Sequence, residues 1–85
     1  MKQFDYTITD ILGLHVRPAG MLAKEAKKYS SNCSITKGEQ TKKLTQLMAL
    51  ISMGIKQGDT VTVTADGDDE EAAIEGLKLF FEKNL

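Results

Sequence analysis

One histidine stands in the 85-residue chain, His15, within the run Gly13-Leu14-His15-Val16-Arg17-Pro18-Ala19-Gly20-Met21. Pro18 has a fixed φ suited to the first helical turn and no N–H to lose, so a helix is predicted to start just after the imidazole. The first N–H groups of a helix have no intrahelical partner, and the helix dipole concentrates partial positive charge there. Such an end attracts phosphate. No Ser, Thr, Asp or Asn occupies positions 15 to 18 to cap it, which leaves those donors to water or a ligand. Arg17 adds a guanidinium able to bond two phosphate oxygens at once. An imidazole nitrogen is a competent nucleophile for a covalent phosphoryl intermediate near neutral pH. A lone histidine is most often a solvated surface residue, but Arg17, Pro18 and an uncapped helix start turn the reading toward reversible phosphoryl transfer through His15.

These residues carry a resemblance. The run from Gly13 to Ala19 resembles the phosphorylation-site signature of HPr, the histidine-containing phosphocarrier family of the bacterial phosphoenolpyruvate-dependent sugar phosphotransferase system. Chain length, histidine position, the Leu47-to-Gly54 segment and the Asp66-Gly67 turn extend it over all 85 residues. The resemblance implies a phosphoryl group accepted on His15 Nδ1 from enzyme I and passed to the A domains or subunits of sugar permeases. It implies Arg17 as the second active residue and the first-turn N–H groups of Val16 and Arg17 as phosphate donors. It also implies a partner surface of Gly20, Met21, Lys24, Lys27, Leu47, Met48 and Ile51. No metal or organic cofactor is called for, and the Leu85 carboxylate is expected near Arg17, as chain ends are in some members. Many low-GC Gram-positive members carry a kinase-regulated serine where this chain has Gln46, which cannot take that phosphate. Thr45 beside it is expected to cap or flank the short helix.

Two other classes remain open on the residues. A regulatory phosphocarrier of a nitrogen-related branch would use the same histidine with different partners. A self-contained histidine phosphatase is disfavoured, because no second histidine or evident acid and oxyanion constellation is present. Whether the chain counts as an enzyme is therefore undecided at this level: the carrier supplies a nucleophile, and alignment and charge stabilisation belong largely to its partners.

Composition narrows the classes further. Eighty-five residues allow one domain, spanning 1–85, with a modest core and no separate catalytic lobe. A hydrophobic content of 41% suits a globule and is too dispersed for membrane insertion, and Met1 to Asp5 open no secretory h-region. The single Cys33 excludes an internal disulfide and fits a core position in a cytoplasmic protein, expected to be monomeric. Net charge is −1, yet residues 1–56 carry nine basic and four acidic groups and residues 57–85 two and eight. On a helix starting near Arg17, the cations Arg17, Lys24, Lys27 and Lys28 fall near one stripe that could steer the chain to acidic partners. Near-neutral net charge without interleaved aromatics argues against nucleic acid.

The elements that must position these residues follow from periodicity. Phe4, Tyr6 and Ile8 alternate with polar residues as a first strand; Ala19, Leu22, Ala23 and Ala26 give a helix from Val16 to Lys28 its apolar side, which Tyr29 extends. Cys33 and Ile35 mark a second strand, joined through Lys37-Gly38-Glu39-Gln40 to a third over Thr41 to Leu44. A short helix from Leu47 to Met53 stops at Gly54, and Thr60 to Ala65 alternates as a fourth strand. The short helix carries more apolar residues than one buried face needs, so some should stay exposed as a docking patch; the resemblance implies Leu47, Met48 and Ile51 for it, a role that asks Leu47 and Ile51 to lie on the exposed side. Asp68 and Glu71 resemble a capping box for a last helix whose covering face is Ala73, Ile74, Leu77, Phe80 and Phe81. The acidic run from Asp66 to Glu71 reads as helix-start chemistry, not a metal site. The order β-α-β-β-α-β-α predicts an α+β open-faced sandwich, a four-stranded antiparallel sheet covered on one face by three helices.

Overall fold

Alternating apolar residues and helical stripes become seven elements in a computed structural model that describes residues 1–85: β1 (Lys2–Thr7), α1 (Val16–Ala26), β2 (Asn32–Lys37), β3 (Gln40–Lys43), α2 (Leu47–Ser52), β4 (Thr60–Asp66) and α3 (Glu70–Asn84). The strands form one four-stranded antiparallel sheet, as expected, and their order in it is β1-β4-β2-β3. Val61, Val63 and Ala65 of β4 and Cys33 and Ile35 of β2 turn their side chains to the helices. Facing them are Ala19, Leu22, Ala23 and Ala26 of α1 and Ala73, Leu77 and Phe81 of α3, all buried in one cluster. Small residues on α1 let the helix lie close to the sheet, and Phe81 fills the space toward β1, meeting the Phe4 and Tyr6 rings edge-on at 5.6 and 5.5 Å.

The opposite face of the sheet carries no helix. Its residues are polar, and several bond along the ladder: Asp5 accepts from Thr62 Oγ1 at 2.6 Å, and the hydroxyl pairs Thr7–Thr60 and Thr36–Thr41 lie 2.8 and 2.9 Å apart. The single cysteine, Cys33, lies in the core, where burial pushes its thiol pKa up.

Two local expectations need correction. The helix expected to reach Lys28 ends at Ala26, because Lys27, Lys28 and Tyr29 donate their N–H groups to Ala23, Glu25 and Ala26 oxygens in a tightening turn. The Asp68–Glu71 capping box does not form. Asp69 is the residue before α3, and its carboxylate reaches across the fold to the N–H groups of Ser30 and Ser31 and to the Ser31 hydroxyl. Glu70 turns back instead to accept the Gly67 N–H at 3.2 Å. A long-range clasp with three donors outcompetes a local cap with one.

Candidate functional site

The chain between β1 and α1 is stitched at nearly every residue. Thr9 and Asp10 donate their N–H groups to Leu85 O at 2.6 and 2.9 Å, and the Asp10 carboxylate accepts the Leu12 N–H at 2.8 Å. Gly13 N–H then returns to Asp10 O at 2.9 Å. Gly13 has φ +66°, and a Cβ there would collide with the backbone of Ile55 and Lys56, so only glycine lets the two segments touch. The contact is used: Leu14 donates to Ile55 O at 3.1 Å and buries its side chain.

This stitching delivers His15 to the position before α1, with extended backbone and no side-chain cap. Its C=O accepts the Ala19 N–H at 2.9 Å, the first bond of the helix. The N–H groups of Val16 and Arg17 precede that bond and have no partner in the protein, and Pro18 has none to offer. Two free donors therefore sit beside the imidazole, as the sequence predicts. The Arg17 side chain is exposed, with no carboxylate within 4.0 Å. Asp10, His15, Arg17, Pro18, Met21 and Asn84 line an open depression of about 220 Å³. An imidazole, a guanidinium and a helix start with two free N–H groups thus stand within three consecutive residues, a chemistry suited to an anion.

The expected contact between the Leu85 carboxylate and Arg17 is absent. Leu85 is buried and its oxygen is already held by the Thr9 and Asp10 N–H groups and the Thr9 hydroxyl, leaving Arg17 unpaired. Along α1, Gly20, Met21, Lys24 and Lys27 follow Arg17 on one row; Met21, Lys24 and Lys27 are exposed, and nothing lies within 4 Å of a Cβ built on Gly20. Lys28 leaves the stripe by pairing with Glu25 at 3.0 Å, a carboxylate that also accepts the Tyr29 hydroxyl at 3.1 Å.

On α2, Leu50 is fully buried, while Leu47 and Ile51 are half-buried and packed against the core. This corrects the expectation of an exposed Leu47–Ile51 side: the two flank Leu50, so the sheet side of a one-and-a-half-turn helix takes part of each. Met48 projects, 74% exposed. Gln46 precedes the helix without capping it, and Thr45 only flanks it.

Sequence reasoning missed four residues near His15. Asp10 and Asn84 line the depression, and Ile11 and Leu12, which follow Asp10 in the chain, are 81% and 70% exposed. The available signal was a pair of large apolar residues outside the strand alternation, directly before a glycine. A brace was also missed. Lys37 Nζ donates to Gly54 O at 3.3 Å and pairs with Asp59 at 2.8 Å, and Asp59 also accepts the Lys56 N–H. Those bonds hold the Asp59 carboxyl below the usual range. The braced segment is the one whose Ile55 O holds Leu14, so the end of α2 and the His15 loop share one support.

No helix is long and apolar enough to cross a membrane, and no group of three or more His, Cys, Asp or Glu gathers as metal ligands would. An α+β open-faced sandwich with a histidine at an uncapped helix start defines a small histidine phosphocarrier. The model of the family described as "PTS HPr component phosphorylation site" matches residues 2–83. The chain belongs to the HPr family of the phosphotransferase system, and it is a phosphocarrier that works with the other protein components of that system. It is 46% identical over 78 residues to the phosphocarrier protein HPr of Mycoplasma capricolum, covering 92% of this chain and 88% of that one. A solved mycoplasma histidine-containing phosphocarrier superposes with a TM-score of 0.94 at 43% identity, covering 96% of this chain and 93% of its own. An HPr dimer from Thermoanaerobacter tengcongensis, 36% identical and covering 98% and 95%, gives 0.78, so some structures of this family are dimeric.

Proposed function

We propose that His15 is the phosphoryl acceptor, that enzyme I is the donor, and that the A domains or subunits of sugar permeases receive the group in the cytoplasm. The observation that carries this reading is the pair of unpartnered N–H groups of Val16 and Arg17 directly after His15 at the start of α1, where His15 and the free Arg17 line one depression. In the forward step the lone pair of a ring nitrogen attacks phosphorus and the bond from phosphorus to the donor atom breaks, its electron pair leaving with the donor. The proton released from the ring returns to the donor side. The Val16 and Arg17 donors and the guanidinium balance charge on the equatorial oxygens, while in-line alignment comes from the partner. Nδ1 is the nitrogen the family precedent favours.

The partner surface is Gly20, Met21, Lys24 and Lys27 on α1 with Met48 projecting from α2 and the outer parts of Leu47 and Ile51, all on the helix side that carries His15. Its flexible Met residues suit a carrier that must fit several partners. The chain is active as a monomer in this reading, since every named group lies on one copy. Incubation with enzyme I and phosphoenolpyruvate, followed by intact-mass measurement, is expected to add one phosphoryl group that acid removes, because a phosphoramidate on imidazole hydrolyses where a serine ester persists. His15→Ala abolishes the label; stoichiometric labelling of that variant overturns the assignment.

A further inference from the structure

The depression that holds His15 contains two side-chain charges of opposite sign, and only one of them favours a phosphate. Arg17 attracts it. Asp10, half-buried on the same wall, opposes it. No cation lies within 4.0 Å of the Asp10 carboxylate; one of its oxygens accepts the Leu12 N–H at 2.8 Å, an exposed bond that leaves the negative charge in place. We propose that Asp10 sets the phosphoryl-transfer potential of this carrier, by placing a fixed negative charge in the depression where the phosphoryl group on His15 must reside. This rests on the His15 reading.

The reasoning is electrostatic. A carrier must accept a group and then lose it, so an acceptor site made only of cations and N–H donors would hold phosphate too firmly. Asp10 and His15 line the same small depression, so a phosphoryl dianion on His15 and the Asp10 carboxylate would lie within about a Debye length, ~10 Å, of each other. At that separation and with the dielectric of an open, wet site, repulsion shifts the phosphorylation equilibrium about three- to tenfold toward release. Asp10 also has an evident structural use, since its side chain turns the loop that carries Leu12 and Gly13. The two uses separate cleanly. An asparagine side-chain oxygen accepts the same N–H, so Asp10→Asn keeps the turn and removes only the charge.

The test is a competition. Isotope-labelled wild type and unlabelled Asp10→Asn are mixed in equal amounts with catalytic enzyme I and limiting phosphoenolpyruvate until transfer between the two chains has equilibrated. Phosphate on each is then read by intact mass. Transfer breaks the bond to phosphorus on one carrier as it forms on the other through enzyme I, so the partition reports relative potential independently of rate. Three- to tenfold enrichment on Asp10→Asn at low salt, collapsing toward an even split in 1 M salt, is the expected result. Asp68→Asn, an exposed carboxylate at the start of α3 that lines no part of the depression, should partition evenly with wild type. An even split for Asp10→Asn at low salt overturns the proposal, as does an equal shift in Asp68→Asn, which would reveal net charge alone. Failure of the wild type to take phosphate at all is a different outcome, and overturns the His15 reading beneath it.

Discussion

At the scale of single residues, the site depends on what is left unbonded. Arg17 has no ion-pair partner and is exposed, so its removal should cost the fold little while depriving the phosphoryl oxygens of their one guanidinium. Arg17→Ala is expected to slow transfer from enzyme I at least tenfold with thermal stability changed by under about 0.5 kcal/mol. Unaltered kinetics in both directions would remove Arg17 from the chemistry. Gly13 behaves in the opposite way. It touches no ligand, but a methyl group there meets the Ile55 backbone at φ +66°, so Gly13→Ala should destabilise by about 2 kcal/mol or more and displace His15 with the loop. Denaturant unfolding reads the first effect, and transfer rate the second.

At the scale of elements, α2 and the start of α3 divide function from support. Met48→Asp should leave unfolding within about 0.5 kcal/mol of wild type and weaken association with enzyme I, because the exposed carboxylate enters only the partner's contact. Ile51→Asp should instead cost about 2 kcal/mol or more of stability, since half of that side chain packs on the core. Normal enzyme I affinity in a folded Met48→Asp would refute the docking role of α2. The clasp before α3 has a pH signature. The Ser31 hydroxyl and the Ser30 and Ser31 N–H groups bond the Asp69 carboxylate and hold its pKa below the ordinary value, so folding favours the ionised form. That contribution is complete above the unfolded-state pKa and disappears as pH falls through the depressed folded one. Thermal melts from neutral pH down through about pH 3 should therefore fall more steeply in wild type than in Asp69→Asn. Parallel curves would show that the clasp adds nothing.

The same elements mark how far the sequence was legible. Alternation in Thr60 to Ala65 and the small-residue stripe of α1 announced their structures because each pattern reports a single local surface. The helix start after His15 was legible for the same reason: Pro18 acts within its own turn. Asp69 was not. Its partners Ser30 and Ser31 lie nearly forty residues away, so a local capping rule selected Asp68 and Glu71 instead. Leu47 and Ile51 were misjudged because a helix of six residues has no periodicity long enough to separate its faces. Asp10 entered the site through a turn that only the folded approach of Gly13 to Ile55 makes intelligible.

At the scale of the whole molecule, charge is segregated along the sequence and in space. Arg17, Lys24 and Lys27 stand on the His15 side, while Asp66, Asp68, Asp69, Glu70 and Glu71 gather at the start of α3. A molecule charged in this way turns its basic pole toward an acidic patch before contact. The association rate with enzyme I should fall several-fold between about 0.05 and 0.5 M salt, and less so in Lys24→Gln/Lys27→Gln. Stopped-flow association measures it; a salt-insensitive wild-type rate would show that the basic stripe does not steer. The bare, hydroxyl-lined side of the sheet takes no part in this orientation.

One histidine at one helix end also has a consequence for traffic under the proposed transfer. With His15 as the acceptor, donor and recipient would occupy the same patch around it, so they would take turns and never meet on the carrier. Each visit has to end before the next can begin, which makes overly tight binding by any client a blockade for all the others. A population of these molecules is then a common pool, and every recipient that draws on it leaves less for its rivals.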